Sequence, residues 1–188
     1  MGIITQLDRE LLLTLNFDGG AVMDTLMWGA SDKLIWLPLY LLMLWMIGRR
    51  YGWRGALTAL AIIVLMVAFA DQVSTFFKNN LPKYRPSREP DLAGLVHTVR
   101  GYTGGKYGTV SAHAATITAI ALFSSGLIRE RWWTIVAIVW TALVVYSRIY
   151  LGVHYPLDVM CGITVGILTG RLGLYGWGKL PTKFKSIK

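Results

Sequence analysis

Long apolar runs separated by short charged turns make up most of this chain. Five of these runs are close to the length that a helix needs to cross a bilayer, which is about 20 residues. They cover residues 31–48, 55–77, 111–128, 132–146 and 156–174. A segment inside lipid must satisfy its own backbone hydrogen bonds, so each run is predicted to be an α-helix. The pattern predicts an all-α fold, an integral membrane helical bundle of about five transmembrane helices.

The beginning of the chain has a different pattern. Within residues 3–17, charged side chains interrupt a series of leucines, which is typical of an amphipathic helix at the membrane surface. Residues 18–33 hold three aspartates and are also too polar to cross. We expect residues 1–30 to form an interfacial N-terminal segment of a single domain that covers residues 1–188.

The composition agrees with a membrane protein. Hydrophobic residues make up 54% of the 188 residues and the mean hydropathy is +0.49, which is too apolar for an ordinary soluble domain. Cys161 is the only cysteine, so no intramolecular disulfide can form. We interpret it as a small packing residue inside a helix.

Ionisable side chains lie between the last two apolar runs, where charge at the edge of a bilayer indicates a functional site. Pro156 favours a new helix that begins there, which places Asp158 in its first turn and His154 just before it. A carboxylate four residues after an imidazole can fix its tautomer and stabilise a positive ring. Arg148, at the end of the preceding run, is a bidentate partner for a phosphate-like anion.

Two further segments carry groups suited to phosphate. Lys78 and Arg85 open a loop over residues 78–110 that is rich in Pro, Gly, Lys and Arg. By itself, such a basic loop could equally contact lipid headgroups without specificity. Ser111 is a strong helix N-cap, which would direct free amides towards an anion, and His113 follows it. In isolation this pair also fits a plain cap with a surface histidine.

The combination of the three segments is more informative than any one of them. Because five spans alternate sides, all three segments are predicted to lie on one face of the membrane. Their order and spacing resemble the three-part signature of the type 2 phosphatidic acid phosphatase superfamily, in its membrane lipid phosphatase branch. The motifs are Lys78 with Arg85-Pro86, then Ser111 with His113, then Ser147-Arg148 with His154 and Asp158. The second motif departs from the family pattern, because Ala112 replaces the usual glycine.

The resemblance implies phosphoryl transfer through a phosphohistidine. His154 would be the nucleophile, and Asp158 would orient its ring. His113 would protonate the leaving oxygen and then activate water. The remaining groups would hold the phosphoryl oxygens without a metal or another cofactor. These phosphate-binding groups are Lys78, Arg85, Ser111 and Arg148.

Other polar residues near these motifs have simpler interpretations. Asp71 lies two helical turns before Lys78 and is interpreted as a partner for a site cation. His97 is predicted to be solvated, and no Asp and His cluster with metal-ligand spacing is evident in the sequence. Basic loop residues either steer an anionic substrate or contact headgroups, and the sequence leaves both open. They are Lys83, Arg88, Arg100 and Lys106.

The net charge of +9 could suggest nucleic acid, but its distribution indicates a membrane orientation instead. The face opposite the motifs carries basic residues with Glu130 as its acid. They are Arg49, Arg50, Arg54, Arg129, Arg131, Arg171, Lys179, Lys183, Lys185 and Lys188. Positively charged loops stay in the cytoplasm, so the motif face is expected to face the periplasm or exterior of a bacterial inner membrane.

An outward site suggests undecaprenyl pyrophosphate as the substrate of a lipid phosphate or pyrophosphate phosphatase. Alternatives implied by the resemblance are phosphatidylglycerophosphate, phosphatidic acid and phosphorylated lipid A. A hypothesis of another class is a protein that binds or flips lipid phosphates, although no inverted repeat typical of many transporters is evident. Nucleic acid is not an expected partner, and the sequence does not indicate an oligomeric state.

Overall fold

The computed structural model describes residues 2–181 and contains six long helices within them. They are α1 (Ile3–Leu15), α2 (Gly20–Ser31), α3 (Leu37–Asn80), α4 (Ala112–Ile128), α5 (Arg131–Tyr150) and α6 (Pro156–Lys179). Short 3₁₀ turns occupy Leu34–Trp36 before α3, and Pro86–Arg88, Pro90–Leu92 and Val99–Gly101 in the following loop. No strand occurs between residues 2 and 181, so the all-α prediction is confirmed. The predicted basic tail residues Lys183, Lys185 and Lys188 lie outside the described residues.

Helix α3 contains the first two predicted spans, joined at a sharp turn. Gly52 has φ 71° and ψ 174°, a backbone conformation outside the helical region that glycine tolerates. A Cβ atom on Gly48 would lie 3.6 Å from the Cβ of Ala56, although eight residues of straight helix measure about 12 Å. The chain therefore folds back, and residues 37–51 and 53–80 form two neighbouring arms of α3.

Within residues 2–181, three elements are long and apolar enough to cross a membrane. They are Leu34–Asn80, which includes both arms, then Arg131–Tyr150 and Pro156–Lys179. Helix α4 is apolar but shorter, with 17 residues. It lies against α3, α5 and α6, and most of its side chains are buried. Helix α4 is therefore the centre of the bundle, and its first turn projects into the functional site described below.

Small residues let α4 and α6 pack closely. Gly162, Gly166 and Gly170 recur every four residues along one face of α6. A Cβ atom at Gly162 would lie 2.5 Å from the carbonyl oxygen of Ser111, and one at Gly166 would lie 2.6 Å from that of Ala115. Backbones approach this closely in membrane bundles where glycine and alanine form the interface. The close packing fixes the start of α6 beside the start of α4.

The N-terminal helices cover the motif side of the bundle. Helix α1 exposes Ile3, Ile4 and Leu7, while Leu12 and the carboxylate of Asp8 are buried. Helix α1 therefore has one exposed apolar face and one face that packs against the bundle, and its position at a membrane surface stays a prediction. Helix α2 packs against α5. Both helices thus reach the end of the bundle where the three motifs lie.

His97 is not solvated, and that prediction was wrong. Its Nε2 lies 2.8 Å from Oδ1 of Asp24, which also accepts a 2.7 Å hydrogen bond from the Tyr150 hydroxyl. These hydrogen bonds, that of Tyr150 first, lower the pKa of the Asp24 carboxyl. Folding also brings Asp18 within 4.8 Å of the pair, a cluster of potential metal ligands that sequence spacing did not indicate. The network connects α2, the loop and the end of α5, away from the cavity.

Candidate active site

The ends of α3, α4 and α5 and the segment before α6 surround a cavity of about 620 Å³. Five of the seven predicted site residues line it, although they come from five separate positions in the chain. They are Lys78, Arg85, His113, Arg148 and His154. Ser111 and Asp158 lie behind this lining. The cavity therefore brings together two imidazoles and the three cations of the motifs. A fourth cation, Lys33, also lines it, and the sequence analysis did not select this residue.

His154 is held as a neutral ring. Its side chain is buried, and Nδ1 lies 3.3 Å from the carbonyl oxygen of Gly108. Burial lowers the pKa of His154 well below its ordinary value, and Arg85, Arg148 and Lys78 lower it further. A neutral ring that donates Nδ1–H to Gly108 keeps a lone pair on Nε2, the form that attacks phosphorus.

Asp158 stands close to His154 but has other partners as well. Its Oδ2 lies 3.5 Å from Nδ1 of His154 and accepts a 3.0 Å hydrogen bond from the amide of Tyr155. Tyr155 and Asp158 form a capping box at the start of α6. The Asp158 carboxylate thus stabilises the turn that carries His154, and its Oδ2 lies 3.5 Å from Nδ1 of the His154 ring.

Lys83 does not line the cavity, and its ammonium has partners that neither interpretation from the sequence included. Its ammonium contacts Oδ2 of Asp8 at 3.0 Å and Oδ1 of Asp158 at 3.4 Å. It also lies 3.9 Å from the ring centre of Tyr155. Lys83 therefore neutralises two buried carboxylates behind His154, a role that sequence reasoning missed.

Asp8 connects the N-terminal helix α1 to Lys83 and to the start of α6. Asp8 is 4% exposed, and its Oδ1 accepts a 2.9 Å hydrogen bond from the amide of Leu157. A carboxylate at this position satisfies a free amide at the start of α6 and interacts favourably with the helix dipole. Helix α1 is thereby fastened to the segment that carries His154.

The two ends of the loop pair with each other near the site. Tyr84 and Tyr107 form an isolated antiparallel bridge, and the amide of Gly108 donates to the carbonyl of Lys83 at 3.0 Å. A Cβ atom on Gly108 would lie only 2.9 Å from Cγ of Arg85. A glycine is therefore needed where the loop passes between Arg85 and His154. The glycine-rich composition of the loop end was the available signal for this position.

The cations are oriented by backbone carbonyls and by burial. Arg85 donates from Nε to the carbonyl of Tyr107 at 3.1 Å and from Nη1 to that of Val153 at 3.3 Å. Burial and then repulsion from Arg148 lower the pKa of Arg85 from its ordinary value. Arg148 is buried, donates from Nη1 to Ser31, and its Nε has no hydrogen-bond partner among residues 2–181. A cluster of one buried and two half-buried cations favours a bound dianion.

The start of α4 supplies the second histidine. Ser111 is fully buried and caps the helix, since its Oγ accepts a 3.4 Å hydrogen bond from the amide of Ala114. Its own amide donates to the carbonyl of Asp158 at 3.0 Å. Ala112 and His113 follow and line the cavity. The methyl group that distinguishes this chain from the family pattern therefore belongs to a residue of the cavity lining.

One wall of the cavity is apolar. Ile63, Val64, Val67 and Ala68 lie on the second arm of α3, and Asp71 continues the same wall towards the cations. A site with a charged end and a hydrocarbon side suits a molecule with a phosphate head and a lipid body. The arrangement of groups supports phosphoryl transfer to a histidine, with cations that stabilise the transferring group.

Comparison with known families identifies the chain. The model of the PAP2 superfamily matches residues 56–180, which include all three motifs. The chain belongs to the PAP2 superfamily. Membership of this family of phosphatases establishes the protein as an enzyme, and the hypothesis of a pure binding or flipping protein is set aside. The prediction of an integral membrane helical bundle is confirmed as well, because three helices within residues 2–181 are long and apolar enough to span a membrane and a transmembrane PAP2 protein of known structure has the same arrangement of helices.

Individual relatives cover nearly the whole chain. A lipid A 4'-phosphatase of Porphyromonas gingivalis is 38% identical over 91% of this chain and 73% of its own length. One of Bacteroides thetaiotaomicron is 34% identical over 97% of this chain and 82% of its own. An undecaprenyl-diphosphatase of Sulfolobus acidocaldarius is 28% identical over 84% of this chain and 72% of its own length.

A crystal structure shares the fold of this PAP2 chain. It is a transmembrane PAP2-type phosphatidylglycerolphosphate phosphatase of Bacillus subtilis, with a TM-score of 0.73 and 19% sequence identity. The match covers 96% of this chain and 89% of the other. At this identity the likeness concerns the arrangement of helices and carries no statement about substrate.

Proposed function

We propose that this PAP2 phosphatase hydrolyses a phosphate monoester on a glycolipid of the lipid A type. The observation that carries the substrate class is the similarity to two lipid A 4'-phosphatases, at 38% and 34% identity. The sequence alone favoured undecaprenyl pyrophosphate, but the undecaprenyl-diphosphatase relatives are more distant, at 28% identity. Lipid A, one of the alternatives from the sequence, is therefore the better candidate.

The proposed reaction uses the two histidines in turn. Nε2 of His154 forms a bond to phosphorus while the bond from phosphorus to the substrate oxygen breaks, and His113 gives that oxygen a proton. The negative charge of the phosphate beside His113 favours the protonated ring that this step needs. Water then attacks the phosphohistidine and returns a proton to His113, which releases inorganic phosphate. Lys78, Arg85 and Arg148 stabilise the charge on the phosphoryl oxygens in both steps.

A panel of purified substrates tests the proposed function. The detergent-purified protein is given lipid A, undecaprenyl diphosphate, phosphatidic acid and phosphatidylglycerophosphate, and inorganic phosphate is measured. We expect kcat/KM for lipid A to exceed the others by roughly tenfold or more, the scale on which differences in pocket contacts discriminate substrates. A preference for undecaprenyl diphosphate would contradict the substrate class but not the reaction.

We also propose that the cavity faces away from the cytoplasm in a bacterial inner membrane. The end of the bundle opposite the cavity carries Arg49, Arg50 and Arg54 between the arms of α3, and Arg129 and Arg131 between α4 and α5. The positive-inside rule places such loops in the cytoplasm. A lipid substrate then presents its headgroup to the site at the outer surface.

Cysteine labelling tests this orientation. In a Cys161→Ser background, Asp91→Cys lies in the loop on the cavity side and Arg131→Cys lies at the opposite end, both at exposed residues. With a membrane-impermeant maleimide on intact spheroplasts, we expect Asp91→Cys to be labelled and Arg131→Cys to be labelled only after lysis. The reverse pattern would refute the orientation.

A further inference from the structure

A recess opens from the catalytic cavity on the side of His113. Its volume is about 210 Å³. It is lined by Trp28, Ser31, Asp32, Tyr102, His113, Arg148 and Leu151. Tyr102, His113 and Arg148 line both the recess and the main cavity. Lys78, Arg85 and His154 line the main cavity but not the recess. The recess therefore adjoins the phosphate site, and His154 does not line it.

The reaction geometry determines which part of a substrate reaches this recess. The attacking and leaving atoms in phosphoryl transfer lie roughly in line on opposite sides of phosphorus. With His154 on one side, the leaving oxygen lies on the other, next to the acid His113. The group attached to that oxygen must then extend past His113. The recess lies on this side of His113 and is a place that can receive the first part of the leaving group.

The lining of the recess combines aromatic rings with a carboxylate. The rings of Trp28 and Tyr102 are perpendicular, with centroids 5.5 Å apart, and Arg100 covers Trp28 at 5.1 Å. Asp32 is exposed and uses Oδ1 to accept a 2.9 Å hydrogen bond from the amide of Leu34. Its Oδ2 makes no hydrogen bond to residues 2–181 and is an acceptor for a ligand. Aromatic surface with a few placed polar groups is typical of a site for a small amphipathic ring.

We propose that this recess binds the sugar ring that carries the scissile phosphate. The C–H face of a pyranose packs against Trp28 or Tyr102, and its hydroxyls donate to Asp32. The volume is below the roughly 300–1,000 Å³ of pockets for drug-sized ligands, which suits one ring rather than a whole headgroup. An acylglycerol or polyprenyl leaving group has no use for the carboxylate. The inference rests on the proposed function and assigns the part of the site that selects a phosphorylated sugar.

A second recess next to His113 has a different character. Its volume is about 100 Å³, and it lies between α3, α4 and α5. Apolar side chains dominate its lining, including Trp36, Val67, Ile117 and Ile120. Hydrocarbon suits this lining better than a sugar does, because hydroxyls buried there would lose hydrogen bonds to water. The two recesses therefore offer separate places for a ring and for an alkyl segment.

Substrate-specific effects of two variants test the proposal. Trp28→Leu removes the aromatic face, and Asp32→Asn removes the charge while its side-chain oxygen still accepts from Leu34. With lipid A, we expect kcat/KM to fall roughly 10- to 100-fold in the double variant, from lost stacking and charged hydrogen bonds. With phosphatidic acid in the same micelles, we expect less than roughly a threefold change, because no sugar contact is lost. Trp45→Leu is the matched control, since Trp45 is 58% exposed on the first arm of α3 and does not line these cavities.

The outcomes separate the recess from the proposed function. If the wild-type enzyme cleaves lipid A, and the variants lower kcat/KM for lipid A and phosphatidic acid equally or lower neither, the sugar recess is overturned. The proposed function is then left intact. A wild-type enzyme that cleaves phosphatidic acid but not lipid A overturns both. A selective loss on lipid A, absent in Trp45→Leu, supports the recess.

Discussion

Phosphate release falls by on the order of 10⁴-fold or more when His154 is replaced by alanine, because the group proposed to form the covalent intermediate is lost while His113 is still needed as the acid. The measurement is release of inorganic phosphate from lipid A by the purified variant. The pH profile adds a second check. Since burial and three cations lower the pKa of His154, kcat/KM should not show loss of the nucleophile near pH 6.5, where an ordinary histidine becomes protonated.

His113→Ala distinguishes the two histidines. An aryl phosphate has a leaving group that needs no proton, so this variant should still phosphorylate His154 but hydrolyse the intermediate slowly. Rapid quenching with labelled substrate should then show an acid-labile phosphohistidine in His113→Ala and none in His154→Ala. Label on the His154→Ala protein, or turnover of lipid A at the wild-type rate in either variant, would remove the proposed roles. Both proteins must elute and melt like the wild type.

The second large effect is expected at Lys83, which does not belong to the family signature. Lys83→Met leaves Asp8 and Asp158 facing each other without the cation that contacts both, at 3.0 and 3.4 Å. Breaking a buried ion pair leaves an uncompensated charge, which is costly. The Lys83 side chain is 34% exposed, so solvent reduces the cost and we expect the free energy of unfolding to fall by about 1–3 kcal/mol. Activity should fall by roughly 10- to 100-fold, because the partner that orients His154 is disturbed.

A positional role for Lys83 predicts more than a simple loss. The effect should be in kcat rather than in KM, because Lys83 does not line the cavity. Asp8→Asn combined with Lys83→Met should recover part of the stability, since one of the two like charges is gone. Lys106→Met is the matched control: it removes a lysine from the same loop, where Lys106 stacks on Tyr84 and Tyr107. An equal loss in Lys106→Met, or additive effects in the double variant, would refute the positional role.

Substrate choice shows where inference from motifs ends. The motifs concern the phosphate and the bond that breaks, and these are shared by all substrates considered from the sequence. In the proposed substrate recess, selection among them depends on what lies beyond His113. There, Trp28 and Asp32 from the N-terminal segment meet Tyr102 from the loop. These residues have no shared spacing, so nothing in the linear pattern groups them.

The sequence by itself determined the features that depend on local periodicity and short spacing. Apolar runs of sufficient length must be helices in lipid, and His154 with Asp158 is placed by the turn that Pro156 imposes. The three motifs also predicted which side chains would line one cavity. Only the tertiary structure decided the contacts between distant segments, such as the salt bridge from Lys83 to Asp8 and the hydrogen bond from His154 to the Gly108 carbonyl. Such contacts arise from the packing of helices against each other, and a buried carboxylate in a surface helix looks like any exposed one until its partner is in place.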